Sequence, residues 1–471
     1  MSKVKIGLVG VNSSTYYAKE YKVYEETIKG LKPLEDKYGF ETVPYKELIE
    51  SGDEAKEVLK FFEKEKIDFL LVQNSSFSMG DVIEVLIDSE INIGLWAVSE
   101  PETEQDVKLH SLVSLNMYSS IIKRCFKDRD IKYKWFYGNV DTKMFIDRFE
   151  PTILSMKAIK KLKETKICWV GSVAPTFDNI EPDLDELKRK FGVNIEVMPT
   201  LEVKKVADHL TEQEIQEARK VFCKDIENIC ITEDMMERGL IVYAALSKIA
   251  KDHKYGAMAL SCWPDFQELF GIVPCVPFSE MYDIDQVPVS CEGDLQALIT
   301  MLVLNEMTDQ KSIVMDFANV DLENEMMLLW HCGIGTKSLA ACPKDIAVIN
   351  QPMMNRKLGD EHRMGLSYDF YFKESPVTIA RISDNGESVF FFNGNVSNNN
   401  SAGFTGTRGW INNLNFLNQE LPILDLVNTI LLEGIEHHLV IVPGSCGETM
   451  SEFTYWTGCE VIKPVAYKDY L

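Results

Sequence analysis

The stretch VPVSCEGDLQALITMLVL, residues 287–304, reads as a short buried strand, a polar break and a wholly apolar helix. Glu292 and Asp294 fall in the break. A carboxylate beside buried apolar residues is costly unless a partner or a metal compensates it. At a helix start the dipole favours negative charge. Two further pieces carry the same chemistry: MDFANV at 315–320 ends a strand with Asp316, and WHCG at 330–333 supplies His331. A second imidazole source, His437-His438, opens a strand far downstream. Glu292, Asp316 and His438 each lie at a strand end or loop edge, so one cleft can collect all three. Carboxylates with one or two histidines suit a hard divalent cation.

Upstream of this stretch, strands and helices alternate. Lys3 to Val11 (KVKIGLVGV) is a continuous apolar strand, and a helix is expected from Tyr16 to Tyr38. Short strands follow at Glu41 to Pro44, Ile67 to Gln73 and Ile91 to Val98. Helices at Asp53 to Lys66 and Asp81 to Ser89 separate them. The pattern resumes after the basic run Lys157 to Lys166. Strands fall at Lys166 to Gly171, Val193 to Met198 and Ala257 to Cys262, and Ile272 to Phe278, with two prolines, is expected to be a loop. Such alternation predicts doubly wound parallel sheets. Ligand groups in those sheets lie beyond the carboxyl ends of the strands. That rule nominates Asn12 to Tyr17, Asn74 to Ser78, Trp96 to Glu100 and Ser172 to Asn179. The sequence GLVGV at 7–11 is not the phosphate-cradling GxGxxG, which weighs against an NAD-linked oxidoreductase.

After Met307 the texture changes. Strands of period two appear at Ser312 to Phe317, Val377 to Ile382 and Ser388 to Asn393, and Asp384-Asn385-Gly386 is a hairpin signal. Asn393 to Gly409 reads as a long loop, and helices are expected at Leu421 to Glu433 and Thr449 to Thr457. This last third is read as mainly antiparallel β.

Bulk properties narrow the function. The chain has 471 residues and a formal charge of −24, which argues against a nucleic-acid partner. Hydrophobic residues make up 45%, as in an ordinary globular protein. No apolar run reaches the length of a spanning helix, and Met1 to Gly10 lacks a cleavable signal pattern. No membrane partner and a cytoplasmic location are the resulting expectations. The 11 cysteines are scattered without a CxxC pair. Cys168, Cys230 and Cys275 are expected to be reduced and buried.

Taken together, Cys262-Trp263-Pro264, Pro274-Cys275, PVSCEGD at 288–294, Asp316, His331-Cys332-Gly333, PVTIARI at 376–382 and Glu433-Gly434 with His437-His438 resemble the L-fucose/L-arabinose isomerase family. The resemblance is strongest from about residue 255 to 445. It implies an α/β protein with two Rossmann-like doubly wound parallel-sheet domains, 1–160 and 161–307. A β-rich, antiparallel, barrel-like C-terminal domain, 308–471, would complete the metal site. It implies Mn²⁺ or another divalent cation on Glu292, Asp316 and His438. His331 would be a further metal ligand or a sugar contact. Asp316 matches the fucose branch, and His331 and the histidine pair match the arabinose branch, so the resemblance marks the superfamily and leaves the sugar open. The implied activity is aldose–ketose isomerisation of a small-molecule sugar through a cis-enediol, with Glu292 and Asp316 as base and acid. The family's assembly implies a homo-oligomer, hexameric or trimer-based. In it Trp96 or the loop Asn74 to Phe77 would touch sugar in a neighbouring subunit's site. Arg408 in the Asn/Gly-rich loop and Arg381 at a strand end are further candidates for binding hydroxyl or anionic groups. The competing readings are a non-catalytic sugar-binding protein and another metal-dependent sugar enzyme on the same fold.

Overall fold

The structure is a computed structural model that describes residues 2–354, 359, 363–398 and 402–470. The chain divides into two compact units, Met1–Lys160 and Lys161–Leu471.

Unit 1 holds one parallel sheet. Its strands are β1 (Val4–Val11), β2 (Phe40–Pro44), β3 (Phe69–Asn74), β4 (Asn92–Ala97) and β5 (Tyr133–Tyr137), in the order β2-β1-β3-β4-β5. Helices cover both faces, so β3 (FLLVQN) is buried at every position. Ser51 starts the helix Gly52–Glu65 with a capping box closed by Glu54. The helix expected from Tyr16 begins only at Val23. Residues 12–22 instead form a turn-rich connection after β1, and Lys22 takes a left-handed conformation with φ 50 before the helix starts.

Unit 2 opens with a second parallel sheet. It contains β6 (Lys166–Val170) and β7 (Asn194–Met198). After β8 (Asn228–Ile229), which joins the larger sheet, come β9 (Ala257–Leu260) and β10 (Val289–Ser290), giving the order β10-β9-β6-β7. The segment Ile272 to Phe278, expected to be a loop, runs into a helix, Cys275–Asp285. Pro274 stands at its N-cap and Pro277 in its first turn, where a missing N–H loses no helical hydrogen bond. The helix Leu295–Thr308 is buried along almost its whole length, and the Asp294 side chain caps it by accepting the Ala297 amide at 2.8 Å.

The remaining strands are β11 (Ile313–Asp321), β12 (Met326–His331), β13 (Ala347–Asn350), β14 (Gly365–Tyr371), β15 (Pro376–Ser383), β16 (Ser388–Val396), β17 (Thr407–Phe416), β18 (Gln419–Glu420), β19 (His438–Pro443) and β20 (Glu460–Val461). They form a mixed, β-rich sheet. Six of them close a ring through antiparallel pairings: β11 with β12, β12 with β17, β17 with β16, β16 with β15, β15 with β19, and β19 with β11. Closure leaves these strands no free edge. The loop expected over Asn393 to Gly409 is shorter, because β16 runs to Val396 and β17 begins at Thr407. Residues 399–401 of that expected loop lie outside the described residues. Ladder pairing of Asn393 and Asn395 with β17 overrides their poor strand propensity.

All the cysteines are free; Cys168 and Cys275 are buried, but Cys230 is exposed, at the end of the two-residue edge strand β8. Among the described residues no helix is long and apolar enough to cross a membrane.

Candidate active site

Within unit 2, the carboxyl end of the second parallel sheet meets one end of the closed ring. Glu292 follows β10 closely. Its backbone is left-handed, φ 59, a region that a non-glycine residue seldom occupies. Neighbouring hydrogen bonds enforce it: the Ala174 amide donates to the Glu292 carbonyl at 3.1 Å, and the Gly293 amide donates to the Leu260 carbonyl at 3.0 Å. Trp169 Nε1 donates to the Gly293 carbonyl at 2.9 Å. A Cβ on Gly293, at φ +75, would lie 2.3 Å from the Ser172 carbonyl oxygen. The turn is therefore held from two sides, and the Glu292 carboxylate has a fixed origin.

The ring supplies the rest. Asp316 on β11 pairs directly with His438 at the start of β19 and, on its other side, with Trp330 on β12. His331 follows Trp330 and closes β12. Glu292, His331 and His438 each bring one ligand atom to within 4.8 Å of the others, as do Asp316, His437 and His438. His438 Nε2 lies 3.4 Å from Glu292 Oε2 and 3.8 Å from Asp316 Oδ1. His331 and His438 are almost wholly buried, whereas the Asp316 side chain is 32% exposed and that of His437 is 37% exposed. Solvent therefore reaches the cluster on the Asp316 and His437 side.

The two buried imidazoles are set in opposite states. His438 Nδ1 lies 2.9 Å from the Asp294 carboxylate, which can only accept there, so Nδ1 carries a proton, and in the neutral ring Nε2 keeps a lone pair. His331 Nδ1 receives the Cys332 amide at 2.9 Å, so its neutral ring carries the proton on Nε2. Neither Nε2 has a hydrogen-bond partner among the described residues. A buried polar atom without a partner is costly. In the neutral ring, His438 Nε2 and the carboxylate oxygens it faces are all acceptors, a set that fits a cation, so the residues present suit a divalent metal.

The charges respond to this packing. Burial alone would raise the Glu292 pKa, but His437, His438 and His331 outweigh it and hold the carboxyl below its usual range. Burial likewise opposes ionisation of Asp294, and Arg381 and His438 overcome it, so this carboxyl is held far below the usual range. Burial lowers the His437 pKa, but the neighbouring Glu292 raises it to a net increase.

The structure gathers Glu292, Asp316, His331 and His438 in unit 2, and the other expected contact residues are each packed against neighbours of their own. Trp96 is fully buried in unit 1, stacked on Phe145 at 4.4 Å, with Nε1 donating to the Gly138 carbonyl at 2.8 Å. Its ring has no free face for a sugar. Asn74 is buried too, donating to the Trp96 carbonyl at 3.2 Å and accepting from Ser114 at 2.6 Å. Arg408 pairs with Asp369 and lies 3.8 Å over the Tyr371 ring, so its charge is already engaged. Arg381 is fully buried between Asp294 and Glu436, which leaves it no reach to a ligand. The expected loop Ser172 to Asn179 does touch the cluster: Asn179 Nδ2 is 3.2 Å from His437 Nδ1, and Phe177 meets that ring edge-on at 5.2 Å. Asp294 and His437 enter the site without having been expected in it. Both stand beside an expected residue, two positions after Glu292 and one before His438.

No family model matches the chain. A curated relative named sulfoquinovose isomerase, from Priestia aryabhattai, is 28% identical over 417 residues, covering 86% of this chain and 87% of its own. The protein of the same name from Priestia megaterium aligns equally well. A third, from Alkalicoccus urumqiensis, is 25% identical over 381 residues, covering 80% of this chain and 81% of its own. These relatives support a sugar-isomerase family, not the L-fucose/L-arabinose branch in particular. Similarity of that extent to enzymes of one kind makes this chain an isomerase enzyme.

Proposed function

We propose that the chain is an aldose–ketose isomerase that works through a cis-enediol, with a divalent cation such as Mn²⁺ held by Glu292, Asp316 and His438. The observation that carries this reading is His438 Nε2, buried without a hydrogen-bond partner among the described residues and 3.4 and 3.8 Å from carboxylate oxygens of Glu292 and Asp316. A bound cation supplies polarisation of the sugar carbonyl and a lower pKa for the adjacent hydroxyl. The chain's own residues do the rest. Glu292 and Asp316 approach the space from the parallel sheet and from the ring. One carboxylate takes the proton from carbon and returns it one atom along; the other moves the hydroxyl proton. His331, with its proton on Nε2, donates to a sugar oxygen and serves the substrate in preference to the cation. Burial of both imidazoles keeps bulk water away from them.

The relatives' name supplies the first substrate to try: sulfoquinovose, an aldose that carries a sulfonate. The test is an aldose panel that includes it, assayed with added Mn²⁺ in deuterated water. The expected result is a ketose with solvent deuterium on carbon, lost on chelation and restored by the metal. Glu292→Gln and Asp316→Asn should each lower turnover at least about 10²-fold while the fold persists. Undiminished activity in either variant, or a product free of deuterium, contradicts the reading.

A further inference from the structure

Behind His438 lies a chain of buried charges that the proposed chemistry does not use. Asp294 Oδ1 accepts the Ala297 amide at 2.8 Å. Its Oδ2 accepts from His438 Nδ1 at 2.9 Å and from Arg381 Nη1 at 2.6 Å. Arg381 Nε donates to Glu436 Oε2 at 3.2 Å, and Glu436 is held in turn by the Ser383 hydroxyl and, at 3.1 Å, the Asp384 amide. Asp294 and Arg381 side chains are fully buried. Buried ion pairs are weak contributors to stability, because desolvation offsets the attraction. Their arrangement points instead to orientation. Asp294 uses both oxygens for three donors, which an amide cannot do with one acceptor oxygen.

We propose that Asp294, Arg381 and Glu436 are positioning residues that hold His438 as the Nδ1–H tautomer, keeping its Nε2 lone pair directed between Glu292 and Asp316. The inference rests on the reading of Glu292, Asp316 and His438 as a cation site. Asp294 orients the ring, Arg381 fixes Asp294, and Glu436 fixes Arg381 from the turn that precedes His438. A partner of this kind on the far nitrogen of a ligating histidine sets both ring orientation and basicity.

The experiment uses the full chain labelled with ¹⁵N-histidine. Two readouts are taken: the ring-nitrogen resonances of His438 without metal, and Mn²⁺ affinity by chelator competition. Asp294→Asn is expected to move His438 away from the Nδ1–H form and to weaken Mn²⁺ binding about 10- to 100-fold. Glu436→Gln leaves the helix cap and the His438 partner in place, and is expected to weaken Mn²⁺ binding less, by about 2- to 10-fold. It carries the test if Asp294→Asn fails to fold. Unchanged resonances and unchanged affinity in the folded variants would overturn the inference. His438→Gln separates the two levels. If it abolishes Mn²⁺ binding while Asp294→Asn does not weaken it, only the positioning role is wrong. If Mn²⁺ binding survives His438→Gln, the cation site itself is wrong.

Discussion

Asp294 does two jobs with one carboxylate: it caps the helix Leu295–Thr308 and fixes the state of His438. Its depressed pKa has a thermodynamic consequence. A carboxyl held lower in the folded chain than in the unfolded one adds stability that is complete above the unfolded value, about 4. That stability is lost as pH falls toward the folded value. Glu292 acts in the same direction. Urea unfolding followed from pH ~6 down to ~2 should therefore show a falling unfolding free energy, with a shallower acid slope in Asp294→Asn than in the parent chain. Equal slopes would mean that the buried pair with Arg381 is not formed. At this scale the sequence is partly legible. Glu292, Asp316, His331 and His438 stand out because acids and imidazoles at strand ends in apolar surroundings need partners. Arg381 misleads because sequence shows that a strand carries an arginine, not that Asp294 and Glu436 already enclose it. Trp96 misleads for a similar reason, since an aromatic at the end of a buried strand looks the same whether it faces a ligand or the Phe145 ring.

The turn from β10 into the helix Leu295–Thr308 is the element on which the site depends. Gly293 is required there by both conformation and space. Gly293→Ala should cost about 1–3 kcal/mol of stability from the left-handed backbone, with further loss from the clash with the Ser172 carbonyl. It should also displace Glu292 and reduce turnover. A thermal melt and an assay on the same variant check both, and a variant as stable and active as the parent would show that the turn is not constrained. The elements themselves are legible where an unbroken apolar run marks them, as in β1, β3 and the buried helix after Asp294. They are less so where local chemistry misleads. Prolines at 274 and 277 suggest a loop but open a helix. Tyr16 to Lys22 continue a helical pattern, yet residues 12–22 are turn-rich and the helix waits for Val23.

At the scale of the molecule, the two parallel sheets and the mixed sheet follow from the switch between helical and period-two patterning. The closing pair β16 with β17 does not, because ring closure depends on long-range register that no local pattern encodes. The central claim is that Glu292, Asp316 and His438, brought by three separate segments of unit 2, hold one divalent cation. Metal that binds only the folded chain must also stabilise it, by about 2.7 kcal/mol at a hundredfold excess over its dissociation constant. The most direct measurement is a Mn²⁺ titration of the chelated protein, followed by metal analysis after gel filtration, alongside a Glu292→Gln, Asp316→Asn double variant. The account predicts one Mn²⁺ per chain in the parent protein and none retained in the folded double variant. A parent chain that retains no divalent cation, or a double variant that retains as much as the parent, would contradict it.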